Sequence, residues 1–555
     1  MSRYSFCTAR NGALIPSIID SSGGAHPLHS MYDPYREAER LISDLCDENG
    51  HLTSEFLVIL GLGGGFIAEA ALRRNGLAGI CIIDYDANGM QELLHAINYD
   101  AILGDPRCHL LIDPGPREIE DFITGHYLPA VCGNIKILPL RTRTEQEQQR
   151  FTDAVDALRR SIAKVSSDYS VQAHFGTRWF SNIIRNLCAA ENISTGQTRS
   201  NGFPAPAQIG GNYIHEAAIC AAGPSLDIQI PRLAGLKKKD ANLFIIATDT
   251  SAPALLNSGV RPDAIVSIDC QHISYYHFMG IDCRRIPLFL DIASPPLVAA
   301  CTDTPVFCSC GHPFARYISR NWMPLPELDT SGGTVTYACL SLAGGLGAEK
   351  ITVYGADFSY PHGKVYARGT YIFPFFEKKQ NRLNPLEALV SDFLYRSPFL
   401  APCGPVNYYE TATLRQYRER TIKKANSLNA DVFFEPGIGP DIQTSERSKK
   451  NDGDQYCGAS STPGDKRNGV LYAPQRPRTS AREFLTAYKR AVEKLAVPET
   501  ADGTWLGNLA MPEKEILYTL LPLAAALKRH NPSLYTISLL EAAKQYCIEE
   551  ILSFI

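Results

Sequence analysis

Two glycine-rich turns and three acids that follow apolar runs are the residues of this 555-residue chain best placed to do chemistry. The first turn lies in AAICAAGPSLD, Ala217 to Asp227, where Gly223, Pro224 and Ser225 come directly after an apolar run. A strand ending this way offers backbone N–H groups and a hydroxyl to a phosphate. A tight strand-to-helix turn with no ligand fits the same residues. Pro231 falls in the second turn of any helix that begins at Ser225, so that helix is expected to start later or to bend. The second turn opens DTSGGTVTYACLSLAGGLGAEKITVYGADFSYPHGKVYARGTY, Asp329 to Tyr371. There Ser331, Gly332, Gly333 and Thr334 lead into a helix predicted over Val335 to Leu346. The helix dipole and its unpaired N–H groups would make that entrance a second anion or nucleotide cradle. Tyr360, His362 and Tyr366 follow on the loop beyond the next strand.

The acids are Asp249 in IIATDT, Asp269 in VSIDCQ and Asp357 in VYGADFSY. One acid past a strand is commonly a helix cap. Three around a single crevice could hold ribose hydroxyls, a metal or the hydroxyls of a sugar, and their spacing does not choose among these. A further motif, VILGLGGGF from Val58 to Phe66, sets Gly61, Gly63 and Gly65 between a strand and a helix. A second strand, CIIDYD, ends at Asp84 and Asp86, as in a nucleotide-type βαβ unit. Phe66 stands where the dinucleotide fingerprint has its third glycine, so the spacing suits a methyltransferase-like loop better than a nicotinamide one. A Rossmann-like unit without ligand is an equal reading.

The elements that must hold these turns form an α/β pattern. Strands are predicted at Ala217–Ala221, Leu243–Thr248, Ala264–Ile268, Pro287–Leu290, Val306–Cys308 and Ile351–Tyr354. Such unalternating runs suit a mostly parallel sheet covered on both faces, with ligands at the carboxyl ends of its strands. The chain divides into an N-terminal Rossmann-like domain over 1–200, a central domain over 205–440, a polar linker or loop over 441–475 and a C-terminal helical domain over 476–555. In the last, Ser480 and Glu483 make a capping box ahead of a helix that Pro498 ends. A second helix runs from about Glu513 to Arg529 with a kink expected at Pro522, and a third is expected to be capped by Asn531 with Pro532 at its first position.

Composition sets the outer limits. Hydrophobic residues make up 45% and the net charge is −4, from 54 basic and 58 acidic residues. No basic excess exists to neutralise phosphates, so nucleic acid is not an expected partner. The 16 cysteines show no CxxC pair, which predicts neither a zinc site nor a disulfide framework and suits a reducing cytoplasm. The uncharged stretch Thr330–Ala348 holds five glycines and reads as a buried helix with a glycine-rich entrance, so no membrane insertion is expected.

AAGPSLD, IATDT, RPDAIVSID and SGGTVTYACLSLAGGLGAEKITVYGADFSY, in that order, resemble the motility accessory factor (Maf) family. HSMYDPYREA and GLGGGF resemble that family's N-terminal domain. The resemblance implies a cytoplasmic protein that attaches nonulosonic acids, the sialic-acid-like sugars, to flagellin. The family's central domain is similar to bacterial sialyltransferases, which implies binding of a CMP-activated donor by Gly223, Pro224 and Ser225 and by Ser331, Gly332, Gly333 and Thr334. Asp357 and Tyr360 match the acid and aromatic after the last strand, with Asp249 and Tyr366 also on the nucleotide side. Ala222 stands where sialyltransferases carry Asn, and Asp249 stands near another such Asn.

The implied reaction is attack of a flagellin Ser or Thr hydroxyl on the anomeric carbon of the donor, with no cofactor required. Sialyltransferases of this type use a histidine base after the last motif strand, which makes His362 the positional candidate and Asp269 its rival. The same domain is also similar to 6-hydroxymethylpterin diphosphokinases, in which Mg2+ would be held by Asp249, Asp269 and Asp357. A flagellin-binding chaperone and an S-adenosylmethionine-dependent methyltransferase at Gly61–Asp84 are the remaining alternatives. The sequence does not speak to oligomeric state.

Overall fold

The computed structural model describes residues 3–20, 22–48, 50–194, 214–396, 400–403, 408–443, 476–497, 504–532, 534 and 536–555. The expected boundary near 200–205, most of the 441–475 linker and Pro498 lie outside them. Where the sequence divides into four parts, the contacts divide into two units: residues 1–177 with 487–553, and 178–486 with 554–555.

In the first unit, β1 (Tyr4–Thr8), β2 (Leu14–Ile19) and β3 (Ala25–Pro27) form an antiparallel meander. The parallel sheet β4 (Phe56–Leu60), β5 (Gly79–Asp84), β6 (Cys108–Ile112) and β7 (Ile135–Pro139) has the order β6-β5-β4-β7. That is the order of one half of a doubly wound fold. Every residue of β4 and β5 is buried, as the unalternating apolar runs require. Helix α1 (Phe66–Leu72) follows the glycine loop, and the long α2 (Gln148–Ser194) carries the chain onward. The C-terminal helices Met511–His530 and Thr536–Leu552 belong to this unit, where the Tyr488 and Thr519 hydroxyls hydrogen-bond at 2.6 Å. Helix Met511–His530 runs through Pro522. Asn531 closes that helix instead of opening the next, because its N–H bonds back to Leu527 and its carbonyl accepts from Leu534.

The second unit is built on seven parallel strands: β8 (Glu216–Cys220), β9 (Phe244–Thr248), β10 (Ala264–Ser267), β11 (Leu288–Asp291), β12 (Pro305–Cys308), β13 (Lys350–Tyr354) and, beyond the small strands below, a last one at Asp431–Phe434. The first six are the predicted strands; the seventh escaped notice in the sequence. Helix α3 (Leu226–Lys239) starts directly after the Gly-Pro-Ser turn and keeps Pro231 inside it, so it does not start late. Helix α4 (Val335–Gly345) packs against β8, β9 and β10 with seven of its eleven residues buried. A side sheet of β14 (Tyr360–Pro361), β15 (Ala401–Pro402) and β16 (Tyr408–Glu410) precedes α5 (Ala412–Ser427), which leads into β17 (Asp431–Phe434). The main sheet order is β12-β11-β10-β9-β8-β13-β17. Its core packs Ile219, Ile246, Val266 and Phe289 against Leu340 and Leu342 of α4. The capping box is present as predicted: Ser480 N–H donates to Glu483 at 3.1 Å, and Glu483 N–H donates to Ser480 Oγ at 3.2 Å.

Candidate functional site

Strand order reverses between β8 and β13, so the carboxyl ends of these two strands flank the crevice where doubly wound sheets bind ligands. The Gly-Pro-Ser turn leaves β8 there, and Asp357 follows β13. The structure brings them together. Ser225 N–H donates to Asp357 Oδ2 at 2.9 Å, and the Ser225 hydroxyl donates to Asp357 Oδ1. Gly223 N–H donates to Gly355 O at 2.8 Å. A third segment closes over the pair: Ile438 N–H donates to Ser225 Oγ at 2.8 Å. Gln229 of α3 ties the three together, accepting from Gly355 N–H at 2.7 Å and donating to the Glu435 and Pro436 carbonyls at 3.0 Å. Ser225 is therefore buried beneath the loop after β17 and not presented at the sheet edge. Burial pushes the Asp357 carboxyl up, and the hydrogen bonds from Ser225 and Gly439 offset this only in part. A cavity of about 300 Å3 opens beside this knot, on the β13–β17 side, with Asp357, Glu435 and Asp441 in its wall.

A row of acids runs the other way along the same edge. Asp249 follows β9, its carboxylate accepting from Thr250 N–H at 2.7 Å and from the Ser267 hydroxyl at 2.8 Å. Asp269 follows β10 and accepts from Gln271 N–H at 2.9 Å. Burial pushes its carboxyl up, and the negative charge of Asp249 adds to this. Asp291 ends β11, a fourth strand-end acid that was overlooked in LFLDIAS, and burial pushes it up to about 6. Helix α2 clamps the loops after β10 and β11. Asn182 Nδ2 donates to the Cys270 and Ala293 carbonyls at 3.2 and 2.8 Å, and Asn186 Nδ2 to those of Ile292 and Ser294, both at 2.8 Å. These asparagines are four residues apart, one above the other on a helix face. The short helix His272–Phe278 after Asp269 carries His277, whose ring meets Tyr371 edge-on at 4.5 Å. Asp249 and Asp269 both push the Tyr371 phenol up electrostatically, after burial, so these residues share one corner.

The remaining predicted residues spread around this edge. A helix feeding a parallel strand runs antiparallel to it, so α4 points its N-terminus at the carboxyl edge. Thr334 caps it, with Oγ1 accepting from Tyr337 N–H at 3.1 Å. Ser331 N–H donates to Asp329 at 3.0 Å, and Lys424 Nζ donates to the same carboxylate at 2.8 Å. Burial would raise Asp329, but these bonds outweigh it and hold the carboxyl at about 2. Gly332 carries no Cβ because the Tyr337 ring occupies that space. The Tyr366 phenol is pushed up by burial first and then by Tyr371, Tyr360 and Asp249, which places it toward the acid corner. His362 stands apart: it is exposed, sits at φ +55° and meets Tyr408 edge-on at 5.0 Å. No hydrogen bond or ring contact among the described residues joins it to Asp249, Asp269 or Asp357.

The Gly61–Asp84 unit is filled from within. Asp84 is fully buried, accepts from Leu62 N–H and Tyr85 N–H at 2.7 Å each, and pairs with Arg143 at 2.9 Å. His29 Nε2 accepts from Gly64 N–H at 2.8 Å, and Tyr99 OH donates to Gly63 O at 2.6 Å. A Cβ on Gly61 would lie 2.8 Å from Arg143 Cγ, and one on Gly65 would lie 2.5 Å from Ile102 Cδ1. The glycines thus let the protein's own side chains pack directly against the loop.

Comparison with known proteins follows this geometry. Residues 191–363, which contain Asp249, Asp269 and Asp357, match the family described as 6-hydroxymethylpterin diphosphokinase MptE-like. An uncharacterized protein of Treponema pallidum (strain Nichols) is 48% identical over 93 residues, 17% of this chain and 33% of that protein. The chain thus spans about a third of that relative's length. Another from the same organism is 30% identical over 178 residues, 31% of this chain and 76% of that protein. The chain belongs to one family with it. Among solved structures, a MAf glycosyltransferase from Magnetospirillum magneticum AMB-1 aligns with 100% of this chain and 91% of its own, at 12% identity and a TM-score of 0.57. The fold is that of a Maf glycosyltransferase. Among the described residues no helix is long and apolar enough to cross a membrane, and no three His, Cys, Asp or Glu side chains are grouped to hold a metal ion.

Proposed function

We propose that the protein is a glycosyltransferase that moves a nonulosonic acid from a CMP-activated donor to Ser or Thr hydroxyls of flagellin, in the cytoplasm. The observation that carries this reading is the whole-chain match to the Maf glycosyltransferase fold. The placement of both glycine turns and the acids on one carboxyl edge supports it. The donor's phosphate lies at the entrance to α4, where Ser331, Gly332, Gly333 and Thr334 and the helix dipole stabilise the leaving CMP. Ser225, Gly223 and Asp357 act from beneath, holding the floor of the crevice. β10 is three strand spacings from β13, roughly 14 Å, a span that a nucleotide and a sugar ring fill together. The sugar then lies over Asp249, and the acceptor hydroxyl arrives at the β10 end. Asp269, whose carboxyl burial pushes up, is the base candidate at that end. His362 is outside this corner.

A second reading, magnesium-dependent diphosphate transfer to a pterin, draws on the MptE-like match over 191–363. The acids do not fit one cage for the ion: Asp357 is bound to Ser225, Asp249 to Ser267 and Thr250, and no three-ligand group exists among the described residues. Thermal shift with CMP, with ATP plus magnesium and with S-adenosylmethionine separates the readings. A saturating ligand at 100 times its Kd adds about 2.7 kcal/mol of stability. Stabilisation by CMP alone is expected; stabilisation only by ATP plus magnesium would replace the glycosyltransferase reading with the second.

A further inference from the structure

The cavity beside the Ser225–Asp357 knot owes most of its wall to the loop after β17, a segment with no role so far beyond covering Ser225. That loop is built for close approach. A Cβ on Gly437 would collide with the Ser225 side chain, and one on Gly439 with the Asp357 carboxylate. The wall sets Asp357 among the apolar side chains of Val353, Phe434 and Ile442 and adds the Gln443 amide. Asp357 is 5% exposed and accepts from Ser225 N–H, the Ser225 hydroxyl and Gly439 N–H. A carboxylate has about four acceptor positions, so these three donors leave about one. The other acids of the wall differ: Glu435 is paired with Arg232, and Asp441 is exposed. At about 300 Å3 the cavity is at the small end of ligand pockets, with room for one ring system and not for a whole activated sugar. Among the described residues no three-ligand group would hold a metal ion there.

We propose that this cavity is a base pocket, taking an aminated heterocyclic ring whose exocyclic amine donates to Asp357 and whose faces lie on Phe434 and Ile442. A carboxylate accepting from the cytosine amine is the established pairing for that base. Gln443 offers an amide N–H to the ring's acceptor atoms. The inference rests on the glycosyltransferase reading above, in which the ring is the cytosine of the donor. The cavity adjoins β13, the end of the edge where the nucleotide begins in that reading. A pterin carries an exocyclic amine as well, and the experiment separates the two sources.

The test is calorimetric titration of the full chain with CMP, UMP and 6-hydroxymethylpterin. CMP is expected to bind about tenfold or more tightly than UMP, which has a carbonyl in place of the amine. Asp357→Asn sets an amide against that amine and is expected to abolish or invert the preference. Ile442→Trp fills the cavity from the loop and is expected to weaken CMP about tenfold or more with the urea midpoint unchanged. It therefore gives an answer even if Asp357→Asn fails to fold. Equal binding of CMP and UMP, undiminished CMP binding by Ile442→Trp, or binding of neither CMP nor the pterin overturns the pocket. If the pterin alone binds and Ile442→Trp abolishes it, the pocket stands and the glycosyltransferase reading fails. Transfer of sugar to flagellin by a chain that does not distinguish CMP from UMP would keep that reading and remove the pocket.

Discussion

Gly223 has no room for a side chain, since a Cβ there would lie 2.5 Å from Gly355 O and collide with the Asp357 carboxylate. Gly223→Ala is therefore expected to lower stability by about 1–3 kcal/mol, measured by urea unfolding. The Gly-Pro-Ser turn was legible because an apolar run stops at a glycine, but its partner was not. Ser225 and Asp357 are 132 residues apart, and no local pattern encodes a hydrogen bond between two distant turns. Buried histidines also set a pH dependence. Burial lowers His29 to about 4 and His312 to about 3, below the ordinary value of about 6.5. As pH falls through that window the unfolded chain takes up protons that the folded one refuses, so stability falls. Asp291, raised to about 6, works in the opposite sense between there and the usual carboxylate range. Asp269 and Asp357, also pushed up by burial, act in the same sense as Asp291. His29→Gln, which can still accept from Gly64, should make the stability slope between pH 6 and 4.5 shallower by up to about 1.4 kcal/mol per pH unit.

Among the elements, α3 does the most to assemble the edge, through a single side chain. Gln229→Leu would leave Gly355 N–H and the Glu435 and Pro436 carbonyls without their partner, at about 1–3 kcal/mol for each buried group that water does not reach. The expected result is a lower urea midpoint and faster amide exchange over Glu435–Gly439, with exchange in β10 unchanged. A uniform rise in exchange throughout the unit would contradict this local role. Strands β8 to β13 could be read because each is a continuous buried apolar run. β17 could not: it is four residues long, lies at the sheet edge and is only partly buried, so DVFF carries little pattern. Asp291 follows its predicted strand at Leu290 just as Asp249 and Asp269 follow theirs, so the pattern that marks those two marks it as well. The Asn182 and Asn186 clamp illustrates a further limit, since a buried asparagine inside a helix looks like any polar position until the carbonyls it binds are placed.

At the scale of the molecule, the chain folds as two units, and its C-terminal helices belong with the first sheet, a pairing of sequence ends that composition does not reveal. The near balance of 54 basic and 58 acidic residues suits the proposed site, in which backbone donors and a helix end would hold an anionic donor. The first sheet binds its own glycine loop with Asp84, Arg143, His29 and Tyr99, so S-adenosylmethionine is expected to give no thermal shift with the full chain. A clear shift, lost in Gly63→Ala, would contradict that. The most direct measurement is intact-mass spectrometry of flagellin incubated with the full chain and a CMP-activated nonulosonate. The account predicts one or more added nonulosonate residues on Ser or Thr, with one CMP released for each. Unmodified flagellin beside AMP released from ATP and a hydroxymethylpterin would contradict it.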